Sequence, residues 1–570
     1  MFRRCLFTLG LVFAISVASA QTPSPFGSGV WSGGVTSTSA NVVARFTAPG
    51  VRARLQISVN QSLKPALFSA IGTAAAAAGN TLTLTVQGLQ PDTDYFYGVE
   101  VGGVLRTEPA SRGRLRTFPL GTGSFKIAFA SCSDYRLPNQ SAFDAIAEER
   151  PLMFFHMGDL HYNDTDSTNP EDYRENYDAV LNHPVQSALY RNVALAYMWD
   201  DHDFSGNDSD TSAIGRDAAR TAYRERTPHY PIAAAGGTMA QSFTIGRVRV
   251  IMTDNRSAAV SPTLRESATK TRLGATQKAW FKQELINARD AGFPLTLWIC
   301  SQPWIAPAQL GADTWGGYTT ERTEIANFIR DNRITNLVLL SGDMHGHAFD
   351  DGTHSDYATG GGAPLTVLHA ASLTHTGAPK GGPYVGGPIL GGQQYGLLEV
   401  FDTGGPSVAC RYSGKRVGEG EKLSYIFSAS AVASSGAAMS NISMLARVTG
   451  GDDALTSGFV ISGQTPRQVL VRAIGPSLAS FGLTDPLGLP QLTVFKGSRV
   501  IGSNEGWGKD EDTIKVLTEA FDRAGAFRLQ DGASRDAAII LTLQPGPYTM
   551  QVKSADRQAG AALLEVYEIP

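Results

Sequence analysis

The 570-residue sequence lacks the features of a membrane protein and of a nucleic-acid-binding protein. Its one early apolar run, from Leu6 to Val17, is too short to span a bilayer, and no later segment qualifies as a membrane helix. The formal net charge is only -4, so no general positive charge attracts the chain to nucleic acid or to an anionic membrane. Binding of an anionic substrate must therefore be local. No internal repeat of fixed period is present either.

Cysteine is scarce, because the sequence contains only four. Cys5 lies in a predicted export signal, which leaves Cys132, Cys300 and Cys410 in the mature chain. Three cysteines cannot all form disulfides within one chain, so at least one thiol has another role. Cys300 and Cys410 either pair with each other or stay free.

The export signal is predicted from the first twenty residues. Arg3 and Arg4 precede the apolar run, and the stretch Ala18-Ser19-Ala20 has the small-x-small pattern of a cleavage site. We therefore expect residues 1–20 to be removed and the protein to be exported to the periplasm, the cell surface or the medium. The arginine pair also fits twin-arginine export, but the rest of that motif is missing, which favours the general route.

The length predicts two or three domains. Residues 21–120 have the alternating pattern of strands, as in "TLTLTVQGL". The stretch "LQPDTDYFYGV", residues 89–99, resembles fibronectin type III sandwiches, in which the tyrosine lies at a corner and caps backbone groups. We expect a fibronectin type III-like β-sandwich here.

Residues 121–427 alternate short apolar strands with amphipathic helices, which predicts an α/β core whose strands are buried on both faces. One such helix is expected at residues 275–291, with Trp280, Leu285 and Ala288 on one side. Residues 428–570 begin with a Ser/Ala/Gly-rich linker and are otherwise mostly strand-like, apart from a helix near residues 512–524. They contain no cluster of His, Cys and carboxylates, so we expect a mostly-β accessory domain without chemistry of its own.

Polar side chains follow each of six predicted core strands. They are Cys132; Asp159 and Tyr162; Asp200, Asp201, His202 and Asp203; Asp254 and Arg256; Gln302; and Asp343, His345 and His347. In α/β sheets, ligands bind in the crevice beyond the carboxyl ends of the strands, so these six ends are expected to converge. Taken singly, Cys132 could be a buried small hydrophobe, a histidine a structural residue and Asp159 a turn former. Six such coincidences together favour a functional site.

These residue types point to metal ions. Asp159 and Tyr162 can hold one ion between a carboxylate and a phenolate, and a thiolate from Cys132 favours a trivalent Lewis acid over Zn²⁺. Asp201 and Asp343 offer only oxygen, which is the preference of Ca²⁺, Mg²⁺ or Mn²⁺. Two ions bridged by one Asp can clamp a phosphate and activate a water between them.

The segments "FASC", "GDLHY", "WDDHD" and "SGDMH" together resemble the calcineurin-like metallophosphoesterases, in particular the alkaline phosphatase D (PhoD-like) family. The resemblance extends over about Phe125 to Phe427. It implies a layered αββα metallophosphatase core, flanked here by the N-terminal fibronectin-like sandwich and the C-terminal mostly-β domain. The family also carries an N-terminal sandwich.

Carried over residue by residue, the resemblance implies two metal sites and a catalytic pair. The assignments are Fe³⁺ on Cys132, Asp159, Tyr162 and His345; Ca²⁺ on Asp159, Asp201 and Asp343; His202 at the scissile phosphate; Arg256 on a phosphate oxygen; and Gln302, Asp200 and Asn163 as supporting residues. Carboxylates at Asp201 and Asp343 replace the Asn and His of the broader superfamily, which favours calcium. Asn163 stands where the family commonly has an acid, and a second Arg after Arg256 is missing. A Zn²⁺, Mn²⁺ or Mg²⁺ pair is the alternative.

The leading hypothesis is an exported hydrolase of phosphate esters, of the phosphodiesterase or alkaline phosphatase type, that uses a metal-bound hydroxide. A phospholipase-like or strict diesterase activity on lipids or cell-wall polymers is one rival, and a non-catalytic binding protein with a relic site is another. The loop "GADTWGGYTTER", residues 311–322, is expected to influence the choice between monoesters and diesters. Contact with the cell surface or a polymer through the sandwich domains is a further hypothesis. The sequence suggests no role for His161 or Asp203.

Overall fold

The computed structural model describes residues 24–430, 442–461, 467–529, 534–544 and 546–569. The predicted export signal, residues 1–20, lies outside these ranges, as does most of the predicted linker, residues 428–440. Within the described ranges, no helix has both the length and the hydropathy needed to cross a membrane.

The N-terminal region consists of strands, as its alternating sequence predicts. The strands are β1 (Trp31–Gly33), β2 (Ser39–Arg45), β3 (Arg52–Ser58), β4 (Leu67–Phe68), β5 (Gly72–Thr73), β6 (Thr81–Gln87), β7 (Asp94–Val101), β8 (Val104–Leu105) and β9 (Arg112–Arg116), with short 3-10 helices at Ala76–Ala78 and Pro109–Ser111. In one sheet, β3 pairs with β4, β5 and β7, and β7 pairs with β8 and β9. The hydroxyl of Tyr95 accepts a hydrogen bond from the backbone N–H of Gln90 at 2.8 Å, which is the corner role expected of this tyrosine.

The middle region alternates strands and helices. Its first half contains β10 (Phe125–Ala130), α1 (Ser141–Glu149), β11 (Met153–Met157), α2 (Pro170–Asn182), α3 (Pro184–Asn192), β12 (Ala194–Met198), α4 (Asp201–Phe204), α5 (Arg216–Arg226), β13 (Gln241–Ile245) and β14 (Val248–Met252). Its second half contains α6 (Ala275–Asp290), β15 (Leu295–Cys300), a 3-10 helix at Trp315–Gly317, α7 (Thr319–Asp331), β16 (Leu337–Ser341), β17 (Gly346–Asp350), β18 (Thr366–His369), β19 (Gly386–Leu390), β20 (Gln394–Phe401), β21 (Ser407–Arg416) and β22 (Gly420–Ser430).

Two sheets form this α/β core. The first has nine strands in the order β22-β21-β20-β10-β11-β12-β1-β2-β6, in which β10, β11 and β12 are parallel. The second has seven strands in the order β13-β14-β15-β16-β18-β17-β19, in which β14, β15, β16 and β18 are parallel. Because β1 pairs in parallel with β12, strands of the N-terminal region extend the first core sheet. The expected N-terminal sandwich and the α/β core therefore share a sheet.

Hydrophobic side chains fill the space between the two sheets and under the helices. A cluster that includes Phe129 and Phe155 of the first sheet and Leu297 and Leu340 of the second packs the sheets against each other. Residues of α1, α2, α3 and α5 cluster with the outer face of the first sheet, and residues of α6 and α7 cluster with that of the second. The core strands are therefore apolar on both faces, as their continuous hydrophobic runs predict.

Helix α6 agrees closely with its prediction. It ends at Asp290, and Phe281, Leu285 and Ala288 are buried along it. Trp280, which the sequence placed on the same side, is only partly buried and packs at the margin of that cluster.

The C-terminal region forms two four-stranded sheets with one helix. The elements are β23 (Ile442–Val448), β24 (Leu455–Ile461), β25 (Arg467–Ile474), a 3-10 helix at Pro476–Phe481, β26 (Pro490–Lys496), β27 (Arg499–Glu505), α8 (Glu511–Ala524), β28 (Ala537–Leu543), β29 (Gly546–Ser554) and β30 (Gly560–Glu568). The orders are β23-β30-β25-β28 and β24-β29-β26-β27, and neither sheet includes a core strand. Val471, Leu492 and Val552 belong to the hydrophobic cluster between these sheets.

Candidate metal centre

The polar residues predicted at the strand ends lie together at one edge of the core. Asp159, Asp201 and Asp343 are each at most 2% exposed, and Cys132 is fully buried. Several residues of this edge occupy the left-handed region of backbone space within four residues after their strands. The φ angles are 61° at Cys132, 56° at Asp159, 54° at Asp343 and 58° at His345. Such a conformation costs roughly 1 to 3 kcal/mol for a non-glycine residue, so the surrounding fold must hold these turns in place.

One group of candidate ligands contains Cys132, Asp343 and His345. Each offers one donor atom, and these atoms all lie within 4.8 Å of one another. Tyr162 is adjacent, since it packs with Cys132, and its hydroxyl donates a hydrogen bond to Oδ2 of Asp159 at 3.0 Å. The structure thus brings together a thiol, a phenol, an imidazole and carboxylates from three strand ends.

A second group contains Asp159, Asp201 and His202, again with donor atoms within 4.8 Å of one another. Asp201 also belongs to an oxygen-only group with Asp208 and Asp313. Asp159 therefore lies between the thiol-containing group and the carboxylate-rich groups, and Asp201 connects the two carboxylate-rich ones.

These residues fit a bound cation. Oδ1 of Asp159 and both ring nitrogens of His345 are buried and have no hydrogen-bond partner among the described residues. Burial, together with the positive charge of Lys380, lowers the pKa of His345 to about 4, so its imidazole is neutral at pH 7 and has a lone pair to offer. Buried polar atoms without partners are costly unless something else satisfies them, and a metal ion would do so.

Burial has the opposite effect on the pKa of the thiol and of the phenol. Burial and the neighbouring Asp159 raise the pKa of both Cys132 and Tyr162 well above their ordinary values. Without a cation, both groups would stay protonated at neutral pH. A metal ion at this position would stabilise the thiolate and the phenolate instead.

Buried carboxylates make this edge strongly acidic. Burial and repulsion from Asp201 raise the pKa of Asp159, and burial raises the pKa of Asp200 to about 7. Burial alone would also raise the pKa of Asp201, but the positive charge of Arg256 and further cationic groups outweigh it and hold that pKa well below its usual range. Asp201 therefore stays ionised at neutral pH.

Arg256 is already engaged by carboxylates. Its Nε donates to Asp200 at 2.5 Å, and its two terminal nitrogens donate to the two oxygens of Asp313 at 3.0 and 2.6 Å. Gln302 joins the same network, because its Nε2 lies 3.2 Å from an oxygen of Asp200 and 3.2 Å from one of Asp313. Asp200 thus bonds Arg256 directly and Gln302 bonds its two carboxylate partners, whereas the family resemblance implies that Arg256 binds a phosphate oxygen.

Asn163 faces away from the candidate ligands. Its side-chain amide donates to Asn176 of α2 at 2.8 Å, and its backbone N–H lies 3.4 Å from the imidazole of His161. It braces the loop that follows Tyr162.

His202 is held by two neighbours. Its Nδ1 lies 2.5 Å from Oδ1 of Asp164, and its ring lies 4.2 Å from the ring of Tyr162. On the other side, the ring of His375 stacks on Tyr162 at a centroid distance of 4.2 Å. The segment that carries His375 also carries Lys380. The Nζ of Lys380 donates hydrogen bonds to both oxygens of Asp343 at 2.7 and 2.9 Å.

Sequence reasoning assigned no role to Asp164, Asp208, Asp313, His375 or Lys380. They lie on loops and do not directly follow an apolar strand, so the strand-end pattern could not identify them. Asp313 belongs to the loop at residues 311–322 that the sequence singled out, but without a role for this residue.

Asp203, to which the sequence gave no role, joins two of the ligand-bearing loops. One of its oxygens accepts hydrogen bonds from the backbone N–H groups of Leu160 at 2.8 Å and His161 at 3.3 Å. The other accepts from the backbone N–H of Asp200 at 3.1 Å. This buried carboxylate fixes the loop after β11 against the loop after β12.

The three cysteines in the described ranges are all free and buried. Cys300 and Cys410 therefore do not pair. The thiol of Cys300 contacts the amide of Asn255 at 2.8 Å, and Cys410 packs in the cluster between the core sheets.

Comparison with known proteins gives four concordant matches. A family model described as PhoD-like phosphatase matches residues 127–383, and one described as PhoD-like phosphatase, N-terminal domain, matches residues 13–119. Alkaline phosphatase D of Bacillus subtilis (strain 168) is 23% identical over 403 residues, which are 59% of this chain and 68% of that protein. The solved "Structure of PhoD" superposes with a TM-score of 0.59 and 18% identity, over 72% of this chain and 92% of that chain. At that identity, the structural likeness shows the fold alone.

Proposed function

The chain belongs to the PhoD-like phosphatase family and is a phosphoric ester hydrolase, and from this premise we propose that it is an exported, metal-dependent enzyme that acts on phosphate esters at the candidate metal centre. Export is proposed from the predicted signal at residues 1–20. The layered αββα arrangement of a metallophosphatase is proposed for the core, since helices cover the outer faces of both sheets.

The position of Asp159 is the observation that carries this proposal. One of its oxygens accepts the hydrogen bond from Tyr162, and the other has no partner in the described part of the chain. The same carboxylate shares a potential ligand group with Asp201 and His202. A carboxylate with a free oxygen between two donor sets is suited to bridge two cations, as two-metal phosphoesterase chemistry requires.

The donor types support different ions at the two positions. We assign Fe³⁺ to the set with thiol, phenol and imidazole donors, which comprises Cys132, Asp159, Tyr162 and His345. We assign Ca²⁺ to the oxygen donors, which comprise Asp159, Asp201 and Asp343, with a Zn²⁺, Mn²⁺ or Mg²⁺ pair as the alternative. When bound, such ions would neutralise the charge of the phosphate group and favour loss of a proton from water.

Asp343 must change partner to serve as a calcium ligand. Both of its oxygens accept hydrogen bonds from Lys380, and it shares a donor group with Cys132 and His345. The carboxylates of Asp208 and Asp313 each offer an oxygen within 4.8 Å of one from Asp201, and they extend the oxygen-only set. They support a hard cation on this side of the centre.

His202 and Arg256 are assigned roles from their contacts. Because Asp164 engages Nδ1 of His202, Nε2 is the nitrogen that can hold a proton for the leaving oxygen. Arg256 keeps Asp201 ionised, and it can reach a phosphate oxygen only if its guanidinium releases Asp313.

Hydrolysis of para-nitrophenyl phosphate and of bis(para-nitrophenyl) phosphate tests the proposal and separates monoesters from diesters. Removal of metals should abolish hydrolysis, and addition of Fe³⁺ and Ca²⁺ should restore it. Asp159→Asn should stay inactive after metals are added. The matched control is Asp166→Asn on the same loop, since the partners of Asp166 in the described part of the chain are Ser205 and Gly215 and this variant should allow full recovery.

Two outcomes would contradict the proposal. Full activity of the metal-free protein would exclude the metal-dependent mechanism. Folded, metal-loaded protein that hydrolyses neither ester would favour the non-catalytic alternative.

A further inference from the structure

Two adjoining cavities form a groove between the N-terminal sheet and the core. One has a volume of about 240 Å³ and the other about 290 Å³, and both are lined by Phe96 and Asn192. The groove is therefore longer than a single small-ion site.

Arginines line both halves of this groove. Arg112 and Arg191 line the first cavity, and Arg114 and Arg150 line the second. Among the described residues, the side chains of Arg112 and Arg191 donate hydrogen bonds only to a backbone carbonyl and to a serine hydroxyl, respectively. Arg114 and Arg150 have no side-chain partner within the described ranges. In a chain with a net charge of -4, these four guanidinium groups outnumber the one carboxylate that lines the cavities, that of Asp94, and are a local concentration of positive charge.

The spacing of these groups follows from the strand. Arg112 and Arg114 are two residues apart on β9, so their side chains lie on the same face at a separation of about 7 Å. Arg116 continues this row, but it pairs with Asp92 at 2.9 Å. Arg150 follows α1 and Arg191 lies near the end of α3, so two further elements contribute arginines to the lining of the groove.

The groove lies far from the candidate metal centre. It contacts Leu152 and Val193, which directly precede β11 and β12, whereas the ligands follow the carboxyl ends of these strands. Five-residue parallel strands separate the two places by about 16 Å or more. The groove is therefore distinct from the catalytic edge.

We propose that this arginine groove binds a linear, phosphate-bearing polymer. Guanidinium groups recognise phosphate with paired hydrogen bonds, and a row of them can engage successive charges along one chain. An elongated groove with arginines in both halves fits several phosphates better than one. The choice of phosphate rests on the proposed function, whereas the positive charge and the shape of the groove do not.

Binding of fluorescently labelled inorganic polyphosphate to the full chain, followed by anisotropy at several salt concentrations, tests this proposal. The wild type should bind, and orthophosphate at the same total phosphate concentration should not compete. Arg114→Ala/Arg150→Ala should weaken binding and reduce the slope of log K against log salt by about 1.4, or about 0.7 for each lost phosphate contact. The matched control is Arg333→Ala/Arg499→Ala, which removes two exposed arginines outside the groove and should leave the slope unchanged.

Hydrolysis of a small chromogenic ester by each variant keeps this proposal separate from the proposed function. Groove variants should retain the wild-type rate, because the groove lies at the opposite end of the strands. Loss of ester hydrolysis in the wild type with intact polyphosphate binding would overturn only the proposed function. Absence of binding by active wild type, equal loss in both double variants, or full competition by orthophosphate would overturn the groove proposal.

Discussion

Replacement of Asp203 by asparagine should weaken metal binding although Asp203 is not a candidate ligand. Its carboxylate accepts three backbone hydrogen bonds, from Leu160, His161 and Asp200. An asparagine can accept with its oxygen but not with its amide nitrogen. The buried backbone N–H of Asp200, or those of Leu160 and His161, would therefore lose their acceptor.

The magnitude follows from these contacts. A buried N–H without a partner costs roughly 1 to 3 kcal/mol, so Asp203→Asn should lower the free energy of unfolding by about that amount. The same change frees the loop after β11 from the loop after β12, and those loops carry Asp159 and Asp201. Loss of a residue that orients metal ligands typically reduces metal affinity about 10-fold to 100-fold, and we expect a reduction in that range.

A matched control separates loss of ligand position from loss of stability. Asp536 in the C-terminal region is also fully buried and accepts backbone hydrogen bonds from Gly475 at 2.7 Å and Ser477 at 3.3 Å. Because both backbone N–H groups bond the same oxygen of Asp536, Asp536→Asn should destabilise the C-terminal region less than Asp203→Asn destabilises the core, and it should leave metal affinity unchanged. Calorimetric titration of the metal-free proteins with metal ions, together with thermal unfolding, measures both quantities. Unchanged metal affinity in Asp203→Asn, or equal loss in the two variants, would refute the positioning role.

Two further predictions concern the rings at the centre. If Tyr162 binds Fe³⁺ as phenolate, the purified enzyme should be coloured and a reductant should bleach it. Tyr162→Phe should remove or shift the absorption band in a visible spectrum, whereas Tyr190→Phe should leave it unchanged. A colourless, iron-free enzyme that is active would exclude the ferric site. If His202 holds the proton for the leaving oxygen, His202→Ala should lower kcat about 10²-fold to 10⁴-fold and should retain both metals and an unchanged Tm. Loss of metal from this variant, measured by elemental analysis, would show that His202 is a metal ligand instead.

The core strands could be predicted from the sequence because each is a continuous apolar run between polar turns. The run "FKIAFA" corresponds to β10 at Phe125–Ala130, and "LTLWIC" to β15 at Leu295–Cys300. The pairing of β1 with β12 could not be predicted in this way, since a pairing between distant strands leaves no periodic trace in either one. For that reason, we expected the sandwich and the core as separate domains and did not predict that they share a sheet.

The gathering of the strand-end residues could also be predicted, because the carboxyl ends of parallel strands meet at one edge. Cys132, Asp159 and Asp343 lie there as expected. Which carboxylate belongs to which donor group could not be derived, since it depends on loop geometry. Asp343 was expected with Asp201, but the structure groups it with Cys132 and His345.

The cationic side chains that balance these carboxylates show where sequence reasoning stops. Several buried aspartates at one edge repel each other, so the fold needs positive charge there whether or not metal ions are bound. Lys380 supplies it to Asp343 across 37 residues, and Arg256 pairs with Asp313 across 57 residues. A periodic sequence pattern predicts contacts only between residues within a few turns of one helix or along one strand. It gives no information about pairs that are 37 or 57 residues apart. Each ammonium or guanidinium that bonds a carboxylate also competes with a metal ion for the same oxygen atoms. The affinity of the centre for its second cation must therefore depend on Lys380 and Arg256 as much as on the ligands that the motifs reveal.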